Sequence, residues 1–171
     1  APGKTDAKLP VALWIHGGGY REGWGSEPEF DAQEWAAKGV VLVSINYRLG
    51  VFGFLTHPEL SAESPHGVSG NYGILDQIES LKWIQKNIEQ FGGDPANVMI
   101  FGQSAGAGSV KTVCESPLSK GLFNKAVIMS GGGITNPNTV QAAPAGRAGR
   151  YAPMTLAEAE QSTKKVMDWA G

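Results

Sequence analysis

A chain of 171 residues, 42% apolar and 18% charged with a formal net charge of −2, has the length of one domain and enough apolar surface for a real core. No run approaches the ~18 apolar residues of a membrane span, and no basic stripe offers the electrostatic footprint of a nucleic-acid binder. The single cysteine, Cys114, excludes an intrachain disulfide and a cysteine-built metal cluster.

Taken in chain order, Val11 to Ile15 is an apolar run entered from Pro10 and reads as a buried strand. It empties into His16, Gly17, Gly18, Gly19 and Tyr20. Three successive glycines present backbone N–H groups that no side chain screens, which is what a developing oxyanion requires. Glu29 to Lys38 reads as a helix ended by Gly39, and Val40 to Ile45, rich in β-branched residues, as a second buried strand closed by Asn46, Tyr47 and Arg48. Arg48 is expected to fix loops through a buried carboxylate. From Leu49 to Asn71 the glycines and prolines predict a loop, with His57 and His66 solvated in it.

Gly73 to Gln90 is the clearest helix, because Ile74, Ile78, Leu81, Ile84 and Ile88 fall on one face. Phe91, Gly92, Gly93, Asp94 and Pro95 break it and return the chain to Val98–Phe101, a strand expected to run parallel to Val40–Ile45 through a right-handed crossover. Directly after this strand come Gly102, Gln103, Ser104, Ala105 and Gly106. Gly, any residue, Ser, any residue, Gly between a strand and a helix is the form of a nucleophile elbow. The serine needs a strained turn to be exposed, and Gly102 and Gly106 keep bulk away from it. A helix should run to about Glu115, stopping at Pro117 and carrying Cys114 as a small buried residue. Lys125 to Met129 is a further strand, Thr135 to Pro153 an irregular segment, and Thr155 to Trp169 a helix with Thr155 and Glu158 in capping-box spacing.

These residues together resemble the type-B carboxylesterases, the cholinesterase-like branch of the α/β-hydrolases. The resemblance is carried by Phe91-Gly92-Gly93 and Val98 to Gly106, by the strand leading to His16-Gly17-Gly18-Gly19, by Asn46-Tyr47-Arg48 and by Gly70 to Gln77. It implies an α/β fold, a mostly parallel sheet flanked by helices, of which residues 1–171 would form the part around the elbow: a matched core over 9–133, an irregular surface segment over 134–154 and a helix over 155–170. It implies hydrolysis of a small-molecule carboxylic ester through a serine acyl-enzyme with no cofactor and no metal. Ser104 would be the nucleophile, and Gly18, Gly19 and Ala105 the oxyanion-hole donors. Gln103, Tyr20 and Trp24 are candidates for the substrate pocket, and Phe52 and Phe54 for an aromatic wall. Many members carry Glu where Gln103 stands, so choline esters are disfavoured. Feruloyl, acetyl-carbohydrate, nitrobenzyl and short-chain esters all fit these residues.

In this family the acid and the histidine lie downstream of the serine, whereas His16, His57 and His66 all precede Ser104. The chain therefore reads as an internal piece, expected to be inactive or weakly active alone, with the remainder of the same hydrolase as its partner. No secretory leader is visible at Ala1, and an upstream one would place the protein outside the cell or in the periplasm. Two other classes share these residues: a non-catalytic cholinesterase-like binding module, and acyl transfer from the same serine.

Overall fold

A computed structural model describes residues 6–28, 31–131 and 155–170. They fall into two compact units, Ala1–Gly53 with Asn71–Gly132, and Phe54–Gly70 with Gly133–Gly171. The first unit holds a four-stranded sheet, β1 (Leu9–Ile15), β2 (Val41–Ser44), β3 (Gly93–Gln103) and β4 (Lys125–Met129), in the order β2-β1-β3-β4 with every neighbouring pair parallel. β2 and β3 run parallel, as expected, with β1 lying between them. Along β1, Val11 to Ile15 are all buried, because both faces of a parallel sheet are covered.

On one face Ala12, Trp14 and Phe101 form a cluster joined by Trp35, Leu42, Met99 and Met129. Trp14 and Trp35 tilt onto Phe101 at centroid distances of 4.9 and 5.2 Å, near the geometry favoured by the ring quadrupoles. Trp35 comes from α1 (Ala32–Ala37), capped by the Asp31 carboxylate on the Gln33 N–H. α1 starts later than the sequence pattern predicts, and Glu29 and Phe30 lie outside the described residues. On the other side of the sheet pack α4 (Tyr72–Asn87) and α5 (Ala105–Glu115). The buried positions of α4 include Ile74, Ile78, Leu81 and Ile84, the face its periodicity predicts. A 3-10 turn over Ile88–Phe91 then leads into β3, which begins at Gly93, five residues before the apolar run, because Leu9 already pairs with Gly93.

The loop expected from Leu49 to Asn71 is instead broken by two short helices, α2 (Gly50–Phe54) and α3 (Pro58–Glu63). Pro58, which reads as a breaker, occupies the first helical position, where its missing N–H is harmless. His57 caps the same helix, its Nδ1 accepting the Glu59 N–H at 3.3 Å. In the second unit α6 (Leu156–Ala170) opens with the expected capping box: Thr155 N–H donates to Glu158 Oε2 at 2.8 Å and Glu158 N–H to Thr155 Oγ1 at 3.3 Å. Ser61 of α3 donates to Glu160 of α6 at 2.5 Å and shares a 2.7 Å hydrogen bond with Ser69. The irregular stretch expected from Thr135 to Pro153 lies outside the described residues. Cys114 is exposed and not buried as expected, because α5 turns it away from the face that carries Val110 and Val113.

Candidate active site

The order β2-β1-β3-β4 reverses direction between β1 and β3, and open α/β sheets bind their ligands at the carboxyl ends of the strands at such a switch point. The two loops that leave the carboxyl ends of β1 and β3 here are His16–Gly25 and the turn at Ser104. Ser104 joins β3 to α5 with φ 57° and ψ −118°, a backbone region costly to a side chain by roughly 1–3 kcal/mol. Its side chain is exposed. The turn is held from behind: Ser104 N–H donates to the Met129 carbonyl at 3.0 Å, and the Ser104 carbonyl accepts the Gly108 N–H at 3.1 Å.

The flanking glycines are needed for close approach. A Cβ on Gly102 would stand 2.6 Å from the Gly106 carbonyl and 2.8 Å from that of Ile15, and one on Gly106 would be driven into the Ile15 carbonyl. Gly131, after β4, likewise backs onto the Ser104 carbonyl. β1, β4 and the first turn of α5 therefore converge on one serine.

The loop after β1 lies directly against it. A Cβ on Gly17 would be 3.4 Å from Ser104 Cβ and 2.9 Å from the Gln103 carbonyl. Gly18 adopts φ 94°, and a side chain there would collide with the Glu22 carbonyl. Its own carbonyl accepts the N–H groups of Arg21 and Glu22 at 3.0 and 3.2 Å, closing a tight turn. A Cβ on Gly19 would meet no described atom within 4 Å, so this part of the loop faces open space. Ala105 is the first residue of α5. A first-turn N–H has no partner within its helix, and the helix dipole favours negative charge there.

Of the residues flagged for a substrate pocket, Gln103 is exposed beside Ser104 and Tyr20 is half-buried with φ 62°. The Tyr20 hydroxyl reaches the first turn of α5, where a Cβ on Gly108 would stand 2.7 Å from it. Trp24 is 54% exposed and Phe52 80% exposed, while Phe54 belongs to the second unit.

His16 is wholly buried, its ring stacked on Tyr47 at 4.4 Å with 23° between planes. Its Nδ1 lies 2.9 Å from the Gly17 carbonyl, so that nitrogen carries the proton. The Tyr47 hydroxyl donates to the His16 carbonyl at 2.9 Å, and burial, followed by the nearby Tyr20 and Glu27, pushes its pKa far above the ordinary phenol value. It thus stays a donor. Arg48 pairs with Asp76 on α4 through two hydrogen bonds to Oδ2, from its backbone N–H at 3.0 Å and Nε at 2.8 Å, and one from Nη2 to Oδ1 at 2.7 Å. The pair is partly exposed, not buried as expected, and these bonds hold the Asp76 pKa down. Gly108 and Gly131 are parts of this assembly that the sequence motifs did not single out, while Gly17 and Tyr47 lie inside those motifs but were given no role of their own. For Gly108 and Gly131 the glycine excess was the one visible signal.

Among curated proteins, this chain is 53% identical over 124 residues to a fumonisin B1 esterase of Sphingopyxis macrogoltabida, covering 72% of this chain and 23% of that protein. It is 46% identical over 134 residues to mouse neuroligin-2, covering 78% of this chain and 15% of that protein. A solved structure of a PNB esterase superposes with a TM-score of 0.77 at 39% identity, over 98% of this chain and 30% of that one. The chain thus spans about a quarter of the length of the esterases it matches. The family model described as the carboxylesterase family matches residues 1–170, and with the α/β-hydrolase sheet of its structural neighbours this chain belongs to the carboxylesterase family.

Proposed function

We propose that this chain carries the nucleophile and the oxyanion hole of a serine carboxylic ester hydrolase. The observation that carries the reading is the exposed, strained Ser104, held at the carboxyl end of β3 against the triple-glycine loop. In the reaction, Ser104 Oγ attacks the acyl carbonyl carbon, and the negative charge gathers on the carbonyl oxygen. The N–H groups of Gly18, Gly19 and Ala105 receive that charge, each such donor being worth about 10²–10³ in rate. The intermediate collapses by breaking the bond to the alkoxy oxygen, which leaves as the alcohol with the proton taken from Ser104. Water then repeats the sequence on the acyl-enzyme and restores the serine. Gln103, Tyr20 and Trp24 border the space in which acyl and alcohol groups would lie.

The base that moves these protons is assigned to residues beyond this chain. His16 is sealed against Tyr47, and His57 spends its Nδ1 on capping α3. Loss of the base alone lowers turnover by about 10⁶ in a comparable serine hydrolase, so the chain by itself should turn over esters very slowly.

A second reading, a non-catalytic binding module, is favoured by the near-equal likeness to neuroligin-2, whose name claims no esterase activity. The test is intact mass before and after a fluorophosphonate, with imidazole added as an external base and the adduct mapped to a peptide. The expected result is one adduct on Ser104, accelerated by imidazole and absent from Ser104→Ala. A folded chain that stays unlabelled with imidazole present would overturn the serine mechanism and leave the binding module.

A further inference from the structure

The stretch that follows β2, from Asn46 to Gly50, has no part in the proposed chemistry. It nevertheless grips the loop after β1 at three points. Asn46 Oδ1 accepts the Gly25 N–H at 2.9 Å, the Tyr47 hydroxyl donates to the His16 carbonyl at 2.9 Å, and the Gly50 N–H donates to the Tyr20 carbonyl at 2.7 Å. His16 and Gly25 are the two ends of that loop and Tyr20 is its middle. The gripping stretch is itself anchored, since Arg48 forks onto Asp76 of α4.

Three successive glycines have the largest backbone freedom a chain can have. An oxyanion hole built on them needs order imposed from outside, because a displacement of about 1 Å in a positioned group can lower a rate by roughly 10²-fold. The His16 carbonyl and the Gly17 N–H share one rigid peptide plane, so a bond to that carbonyl orients the first peptide of the glycine run. Stacking of the Tyr47 ring on His16 holds the same residue from its side-chain end.

We infer that Asn46–Gly50 is the template that sets the backbone of the loop carrying Gly18 and Gly19, with Tyr47 as its positioning residue. The inference rests on the oxyanion role proposed above for those glycines. Tyr47 touches no reacting atom and acts through the His16 peptide. Asn46 and Gly50 fix where the loop returns and where it bends.

The test is Tyr47→Phe, which keeps the stacked ring and removes the hydroxyl, read by amide NMR and hydrogen exchange on this chain. The Gly18 and Gly19 amide resonances should move. The Arg21 and Glu22 amides, which close the turn on the Gly18 carbonyl, and the Gly50 amide should exchange roughly two- to tenfold faster. Amides pairing β1 with β3 should keep their wild-type rates. Unmoved glycine resonances, or a uniform acceleration that includes the β1 and β3 amides, would reduce Tyr47 to a core aromatic and overturn the inference. Should Tyr47→Phe fail to fold, Asn46→Ala at the exposed end of the template gives the same readout, and unmoved resonances there would equally overturn it. In a second arm, imidazole-assisted labelling of Ser104 should slow by about tenfold or more in Tyr47→Phe. Equal labelling rates in wild type and variant would refute the inference. A wild type that never labels would instead defeat the ester reading, with the NMR result still deciding the template.

Discussion

If Ser104 is held in a strained turn for the sake of chemistry, removing its side chain altogether should stabilise the fold. With φ 57° and ψ −118°, any residue with a Cβ carries about 1–3 kcal/mol of backbone strain there, and glycine carries almost none. Against that relief stands the greater freedom of glycine in the unfolded chain, roughly 0.5–1 kcal/mol. Ser104 is exposed, so no packing is lost. Ser104→Ala keeps the Cβ at the same angles and serves as the reference. Ser104→Gly should therefore exceed Ser104→Ala by about 1 kcal/mol, equivalent to some 2–4 °C in Tm at this chain length. Urea unfolding followed by tryptophan fluorescence and circular dichroism measures the difference, with Trp14 in the sheet core reporting on the first unit. A Ser104→Gly variant no more stable than Ser104→Ala would mean that the turn stores no strain, and the physical case for a tensioned nucleophile would fall with it.

Gly106→Ala should lower the urea midpoint by the equivalent of about 1–3 kcal/mol or more, since its methyl would be driven into the Ile15 carbonyl; a wild-type midpoint would show that β1 and α5 can part freely. Ser109→Ala should cost about 1–3 kcal/mol by leaving the wholly buried Gln77 amide without the hydroxyl it donates to at 3.1 Å. Adding Gln77→Leu should recover most of that loss in the same unfolding assay, and no recovery would refute the pairing argument. Hydrogen bonds from Arg48 hold the Asp76 pKa below its ordinary 3.8, so the unfolded chain takes up this proton first as pH falls. The stabilisation is thus present above the unfolded value and lost as pH drops through the depressed folded value. Denaturation from about pH 6 down to about pH 2 should show the advantage of wild type over Asp76→Asn shrinking toward the acid end. A constant gap would mean that the pair contributes nothing through its charge.

The parts of the fold readable in the sequence were those where one local signal dominates. Val11–Ile15 and Val98–Phe101 are apolar runs that only a doubly covered sheet can bury, and α4 repeats its isoleucines at helical spacing. Gly102, Ser104 and Gly106 were legible because the turn constrains identity and spacing together. What escaped depends on partners distant in sequence. α2 and α3 were hidden by Gly50 and Pro58, which punctuate a chain equally well as breakers and as helix starts. Cys114 looked buried because composition says nothing of which way a helix is rotated. Tyr47 looked like the end of a strand, since its hydrogen bond to His16 crosses 31 residues of sequence.

The sheet order also decides what fails first. β1 and β3, whose ends carry the triple-glycine loop and the serine, each have a neighbour on both sides, whereas β2 and β4 have one each among the described residues. Fraying starts where a strand is held from one side only. Heat or denaturant should therefore consume the rim of the sheet while its centre is still paired. A chain that has lost β4 loses the Met129 carbonyl behind the Ser104 N–H, and one that has lost β2 loosens the footing of Asn46 and Tyr47 under the glycine loop, so wear at the edges reaches Ser104 and Gly17 through their supports.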